Sequence, residues 1–329
     1  MPGRIETAGS NGSRRRGVYL LTHPRSASNL FQTMMAKQPG FQNSSYIIFE
    51  ASFALLSEFN KKERLSDWSQ DEWKAIQDSF QECYDKMQAE LADAEAKGKQ
   101  VFIKEHVIIM GPNQMLKAAY GEADDRAPIV LRNRNEAEPV HTNPSSLPDS
   151  VLLSLQPIFQ IRHPILMFPS MLRSQCKMKM SENLDRRVRT TLSLRFSREL
   201  YDWYLKQGEE MSPKVIDADD IMSNKAVVRQ LCLETGLDPD AVQYEWATRE
   251  EPDPMKKVMT DKIISSTGIL PGLEARGLDL ETEKKKWKAE FGDEDGELLA
   301  KYVQDAMPDY EYLYSQRVHS PKVTLPLPV

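Results

Sequence analysis

The stretch Val18-Tyr19-Leu20-Leu21-Thr22-His23-Pro24-Arg25-Ser26-Ala27-Ser28-Asn29-Leu30-Phe31 decides how the rest of the chain is read. Val18 to Thr22 is an apolar run of strand type, and Leu30, Phe31, Met34 and Met35 recur at helical spacing. A short loop of small and polar residues joins the two. A strand that feeds a tight loop and then a helix makes an anion site. The first helical N–H groups have no internal partner, and the helix dipole favours negative charge there. Ser26, Ala27 and Ser28 let the backbone approach an anion closely, and Arg25 adds a planar fork of donors. The nucleotide loop G-x-x-x-x-G-K-[ST] occurs nowhere in the chain, which argues against an ATPase or GTPase.

Composition sets the outer bounds. A chain of 329 residues holds one large α/β domain or two small ones. It is 40% hydrophobic and 28% charged, ordinary for a soluble globular protein. No apolar run approaches the roughly 20 residues that a membrane span needs. Met1 to Gly17 is polar, carries Arg14-Arg15-Arg16 and lacks the apolar core of a signal peptide. It reads as a disordered tail on a cytoplasmic protein. Cys83, Cys176 and Cys232 are too widely spaced for a disulfide framework or a metal cluster. With a net charge of −6 the chain has no global pull toward nucleic acid or membrane, so an anion site must be local.

Beyond the opening loop, residues 41–59 are apolar and aromatic without a clean period and are expected beside the site. Trp68 to Lys97 reads as a helix that buries Trp73, Ile76, Phe80, Cys83, Met87 and Leu91. Val101 to Ile109 reads as a strand, and its alternation puts Lys104 and His106 on one side. There a neutral imidazole can accept a proton while an ammonium stabilises negative charge. Residues 107–150 form a long insertion, read as an acceptor-site loop or lid. Pro157 to Pro164 is a third strand running into a helix with Ile165, Phe168, Met171 and Leu172. Leu184 to Lys206 reads as one basic helix, and Lys214 to Asp220 as a fourth parallel strand with acidic residues at its end. Helices at 224–235 and 239–249, a loop over 251–277, closing helices around 287–291 and 298–307, and an extended tail at 316–329 complete the reading.

His23-Pro24-Arg25-Ser26-Ala27-Ser28 resembles the 5′-phosphosulfate loop of sulfotransferases, roughly Pro-[Lys/Arg]-Ser-Gly-[Thr/Ser]-Thr. Pro24, Arg25, Ser26 and Ser28 match; Ala27 replaces the usual Gly and Asn29 the usual Thr. Lys104 and His106 match the family's Lys-x-His strand. Arg162 and Ser170 stand eight residues apart across a strand–helix junction. They match its 3′-phosphate motif, with Pro164 in the Arg-x-Pro position. The implied fold is P-loop-like, a three-layer α/β/α domain over 18–315 with a central parallel sheet. It looks like the divergent members that in fungi often serve biosynthetic pathways.

The resemblance implies a transferase that moves a sulfuryl group from 3′-phosphoadenosine 5′-phosphosulfate (PAPS), leaving PAP, to a hydroxyl or amine of a small molecule. Pro24, Arg25, Ser26, Ala27, Ser28 and Asn29 would hold the 5′-phosphosulfate, and Arg162 and Ser170 the 3′-phosphate. His106 would be the base, with Lys104 and Arg25 stabilising the transition state. For the C-terminal phosphate-closing loop of the family, Ser266, Thr267 and Gly268 are the first candidates and Arg276 and Lys286 the next; Arg173 could reinforce the 3′ site. No metal ligand set appears, and the transfer does not require one. Two other readings keep the scaffold. One is an enzyme repurposed for PAPS-independent condensation or cyclisation, or for another adenosine-ended donor such as aminoacyl-tRNA. The other is a non-catalytic binding protein.

Overall fold

The computed structural model describes residues 15–121, 128–133 and 140–320. Five strands, β1 (Gly17–Thr22), β2 (Phe41–Ser45), β3 (Gln100–His106), β4 (Leu155–Ile161) and β5 (Lys214–Asp217), form one parallel sheet in the order β2-β3-β1-β4-β5. Every residue of β1 and β4 is buried, as a parallel sheet covered on both faces requires. Alternation divides β1 between two cores. Tyr19 and Leu21 pack with the large core that contains the helix Gln70–Ala96. Val18 and Leu20 pack with Phe31, Met34, Val228 and Leu231 on the other face.

The chain winds outward from β1 to β2, returns to β3, and then crosses to the far side of β1 for β4 and β5. The winding direction therefore reverses beside β1. Open α/β sheets bind ligands at the carboxyl ends of the strands at such a point. Register fixes what meets there: Thr22 lies opposite His106 on β3, and Leu21 opposite Phe159 on β4.

The longest helix shows how local chemistry sets a boundary. Ser69 Oγ accepts from the Glu72 N–H at 3.2 Å, and the Glu72 carboxylate accepts from the Ser69 N–H at 2.8 Å. This reciprocal cap starts the helix Gln70–Ala96. All six of its expected apolar residues are buried.

Several elements differ from the sequence pattern, each for a visible reason. β2 is an edge strand whose Gln42, Asn43, Ser44 and Ser45 give no apolar alternation. β3 stops at His106 because its neighbour β1 ends opposite, at Thr22; Val107–Met110 is a tight 3-10 turn. The basic helix expected over 184–206 is two helices, Arg186–Thr190 and Arg195–Leu205. Ser193 Oγ accepts from the Arg195 N–H and begins the second. Residues 239–249 hold only the turn Pro239–Ala241, after which Gln243 donates its N–H to Met34 and Glu245 bridges Gly268. The loop expected over 251–277 contains the helix Pro254–Ser265, started by Pro254 and by Asp253 accepting from the N–H groups of Met255 and Lys256. The closing helices are longer than read, Leu280–Phe291 and Asp293–Ser315. Beyond them, Arg317 bridges Val215 of β5. Most of the tail expected at 1–17 and residues 321–329 lie outside the described residues. Among the described residues no helix is long and apolar enough to cross a membrane.

Candidate active site

A cavity of about 810 Å³ opens at the carboxyl end of the sheet. Pro24, Arg25, Ala27, Ser28, Asn29, His106, Arg162, Ser170, Ser266 and Gly268 all line it. The loop between β1 and the helix Ser28–Met34 has an unusual backbone. Arg25 and Ala27 sit at φ 67° and 64°, the left-handed region that L side chains enter only at a cost of roughly 1–2 kcal/mol. At Ala27 this conformation accounts for the glycine expected there, because glycine adopts it without steric cost.

Arg25 reaches across the loop. Its Nε donates to Ser170 Oγ at 3.0 Å and its Nη1 to the Met259 carbonyl at 3.1 Å. The two motifs read separately in sequence are thus in direct contact. Arg162 ties the same region together from β4, donating from Nη1 to the Arg25 carbonyl (3.1 Å) and from Nη2 to the Leu273 carbonyl (2.7 Å). Its Nε is buried with no partner among the described residues. Lys262 joins them from the helix Pro254–Ser265. Partial burial, then the charges of Arg162, Arg25 and Arg173, push its ammonium below the ordinary lysine range. Like charges held this close, with an unused guanidinium N–H among them, fit a bound phosphate group. Sequence reading missed Lys262 because it lies on a helix taken for loop.

His106 lines the same cavity from the end of β3. Thr22 Oγ1 lies 2.7 Å from His106 Nδ1 and also donates to the Glu105 carbonyl at 3.0 Å. A hydroxyl has one proton to give. If Thr22 gives that proton to Glu105, Nδ1 is the donor to Thr22 and Nε2 keeps a free lone pair. Burial, reinforced by Lys104, His23 and Arg25, holds the imidazole well below its ordinary pKa, so it stays neutral. A neutral ring with the open lone pair on Nε2 is what a general base needs.

Three predicted site residues are not brought to the cavity wall. Lys104 is wholly buried, donates to Asn29 Oδ1 at 2.5 Å, and lies 4.2 Å from the ring centre of Tyr46. Burial lowers its pKa to about 7. Asn29, the departure from the family's Thr, is therefore the partner that holds Lys104 behind the loop. Ser26 is wholly buried beneath the loop with an unpartnered hydroxyl, while Gln160 Nε2 donates to its carbonyl at 2.6 Å. The exposed Thr267 uses its carbonyl to accept from the Trp246 N–H and does not line the cavity.

The secondary candidates also fall away. Arg276 is exposed and outside the cavity, and Lys286 pairs with Glu283 at 2.6 Å. Arg173 reaches the cavity but is engaged by both carboxylate oxygens of Glu290 at 2.6 Å. Of the insertion at 107–150, only Ile108 and Ile109 line the cavity, so the described part of that segment is no lid. It is held down instead by its own bonds, with Ser146 donating its N–H to Met110 and Asp149 accepting from Thr142 and Asn143. Tyr46, which went unremarked in sequence, lies 4.8 Å from the His106 ring and lines the wall.

No family model matches the chain. A curated protein named sulfotransferase ppzF, from Metarhizium rileyi (strain RCEF 4871), is 31% identical over 326 residues, covering 92% of this chain and 96% of the relative. The chain belongs to the sulfotransferase family. The protein of the same name from Metarhizium majus (strain ARSEF 297) is also 31% identical, with the same coverage. A solved sulfotransferase domain from the curacin biosynthetic pathway aligns at 15% identity and a TM-score of 0.40 over 84% of this chain and 98% of that one. As a member of the sulfotransferase family, the chain is a transferase enzyme by class.

Proposed function

We propose that this sulfotransferase-family enzyme transfers the sulfuryl group of PAPS to a hydroxyl or amine of a small biosynthetic intermediate, within one α/β domain. The observation that carries the reading is that one cavity is lined both by a phosphate-type group of cations (Arg25, Arg162, Lys262) and by the imidazole of His106, kept neutral by burial. Arg25 serves the 5′-phosphosulfate, and Arg162 with Ser170 the 3′-phosphate. His106 Nε2 takes the proton of the acceptor as its oxygen or nitrogen bonds to sulfur. The sulfur–oxygen bond to the 5′-phosphate breaks, and its electron pair leaves on PAP beside Arg25. Sulfur does not change oxidation state, so no redox partner is needed. Fixed cations supply the electrostatic work. Lys104, screened by Asn29 and Tyr46, acts through those two residues rather than on the substrate.

Calorimetric titration with PAP tests the donor assignment. Micromolar binding, about −8 kcal/mol, is the expected result. A protein that binds no PAP, and forms no sulfated product from PAPS with any acceptor, would refute the reading.

A further inference from the structure

Away from the phosphate cluster, the cavity wall is largely apolar, with Phe49, Phe53, Leu56, Ile108 and Met171 among its residues. Set into this wall is one buried guanidinium. Arg187, in the helix Arg186–Thr190, is 8% exposed and lines the cavity. Its Cζ lies 5.0 Å from the ring centre of Phe53, and its nearest polar contact is the Met180 sulfur at 3.9 Å from Nη2. No carboxylate among the described residues comes within ion-pair distance of it. Asp185 is near in sequence but is taken up by the Val188 N–H, Ser181 and Asn60. Several other arginines do hold a carboxylate, among them Arg173, Arg195, Arg198, Arg229 and Arg317, and Arg186 is met by the carbonyls of Phe59 and Lys62.

Also in the lining is Gln175, 5% exposed, whose side-chain oxygen is buried without a partner among the described residues. Arg187 feels the Asp185 carboxylate only beyond ion-pair distance, and a buried charge without a close partner and a buried acceptor without a hydrogen bond are costly unless a ligand completes them. The phosphates of the donor are answered elsewhere. The side-chain contacts of Arg187 among the described residues are with Met180 and Phe53, neither of which the sulfotransferase reading gives to the donor. The missing anion therefore belongs to the acceptor. A single guanidinium fork matches a carboxylate in geometry and in charge. A phosphate dianion would bring a second charge into an apolar wall that has nothing to meet it.

We propose that Arg187 binds a carboxylate of the acceptor, with Gln175 receiving a hydrogen bond from the same molecule, so that the second substrate is a small organic acid bearing a hydroxyl or amine. The proposal rests on the sulfotransferase reading for the group transferred, but not for the binding of the acid.

The test titrates the full chain, loaded with PAP, with 4-hydroxybenzoate, 3-hydroxybutyrate and L-serine, each against its methyl ester. The same titrations are made on Arg187→Gln and Arg187→Lys. At least one acid should bind the unaltered protein about tenfold or more tighter than its ester, as a bidentate charge-assisted pair implies. Arg187→Gln should abolish that preference, Arg187→Lys should keep part of it, and PAP affinity should be the same in all three proteins. The proposal fails if acids bind no better than esters across the panel, or if the preference survives in Arg187→Gln. It also fails if Arg187→Gln weakens PAP binding, since Arg187 would then serve the donor or the fold. An Arg187-dependent acid preference in a protein that binds no PAP would leave this site standing and remove the donor assignment instead.

Discussion

Replacing Arg162 with alanine separates two jobs that the structure gives to one side chain. Two of its N–H groups strap the phosphate loop to the segment after Gly268, through the carbonyls of Arg25 and Leu273. The third nitrogen, Nε, is buried and has no partner among the described residues. If Arg162 meets the 3′-phosphate, its loss removes a charge-assisted interaction of about 1.5–3 kcal/mol, or roughly 10- to 150-fold in Kd for PAP. Adenosine 5′-phosphate lacks that group, so its affinity should fall only by the strap's share, about 1 kcal/mol for ordinary hydrogen bonds. Calorimetric titration of both nucleotides into wild type and Arg162→Ala, at one ionic strength, closes a cycle whose coupling should be at least about 1 kcal/mol. Equal weakening of the two nucleotides would refute the assignment and leave Arg162 a structural strap.

His106→Gln should lower kcat by about 10²–10⁴ with PAP affinity unchanged, since a base acts on the acceptor's proton and not on the donor; a parallel loss of PAP binding would show that the ring serves the loop instead. Ala27→Gly should relieve the left-handed backbone at φ 64°. After the entropy glycine adds to the unfolded chain, it should stabilise the fold by about 0.5–1 kcal/mol. Thermal unfolding checks this, and a lower Tm would contradict the strain argument. Glu105 is wholly buried and its pKa is raised from 4.5 to about 8, chiefly by desolvation. The folded state keeps a proton that the unfolded state loses, so stability should fall as pH rises from 4.5 toward 8, by up to about 1.4 kcal/mol per unit. Glu105→Gln lacks this titration and should gain on wild type by at most about 3 kcal/mol between pH 5 and 7.5. Urea midpoints at the two pH values measure the gap, and a gap that does not widen removes the claim.

The sequence by itself determined the elements whose signals are local. The strand, loop and helix around residues 18–35, the strand ending near Ile161, and the capped helix Gln70–Ala96 all declare themselves through apolar period and end chemistry within one window, whereas the end of β3 at His106 was set by its neighbour β1. Motif order along the chain was enough to bring Arg25, His106, Arg162 and Ser170 to one cavity, because parallel strands deliver their carboxyl ends to the same edge. What only the tertiary structure decided depends on contacts between distant segments. Lys104 and His106 share a side of β3, yet Asn29 and Tyr46 cover the first while the second remains at the wall. No pattern within β3 distinguishes them. The hydroxyl that meets His106 Nδ1 is that of Thr22 on β1, 84 residues away. Lys262 and Arg187 line the cavity because the fold brings helices of ordinary polar sequence to it, the first leaving its side chain exposed and the second burying it. Burial and pairing are properties of neighbours, and neighbours are settled by the fold.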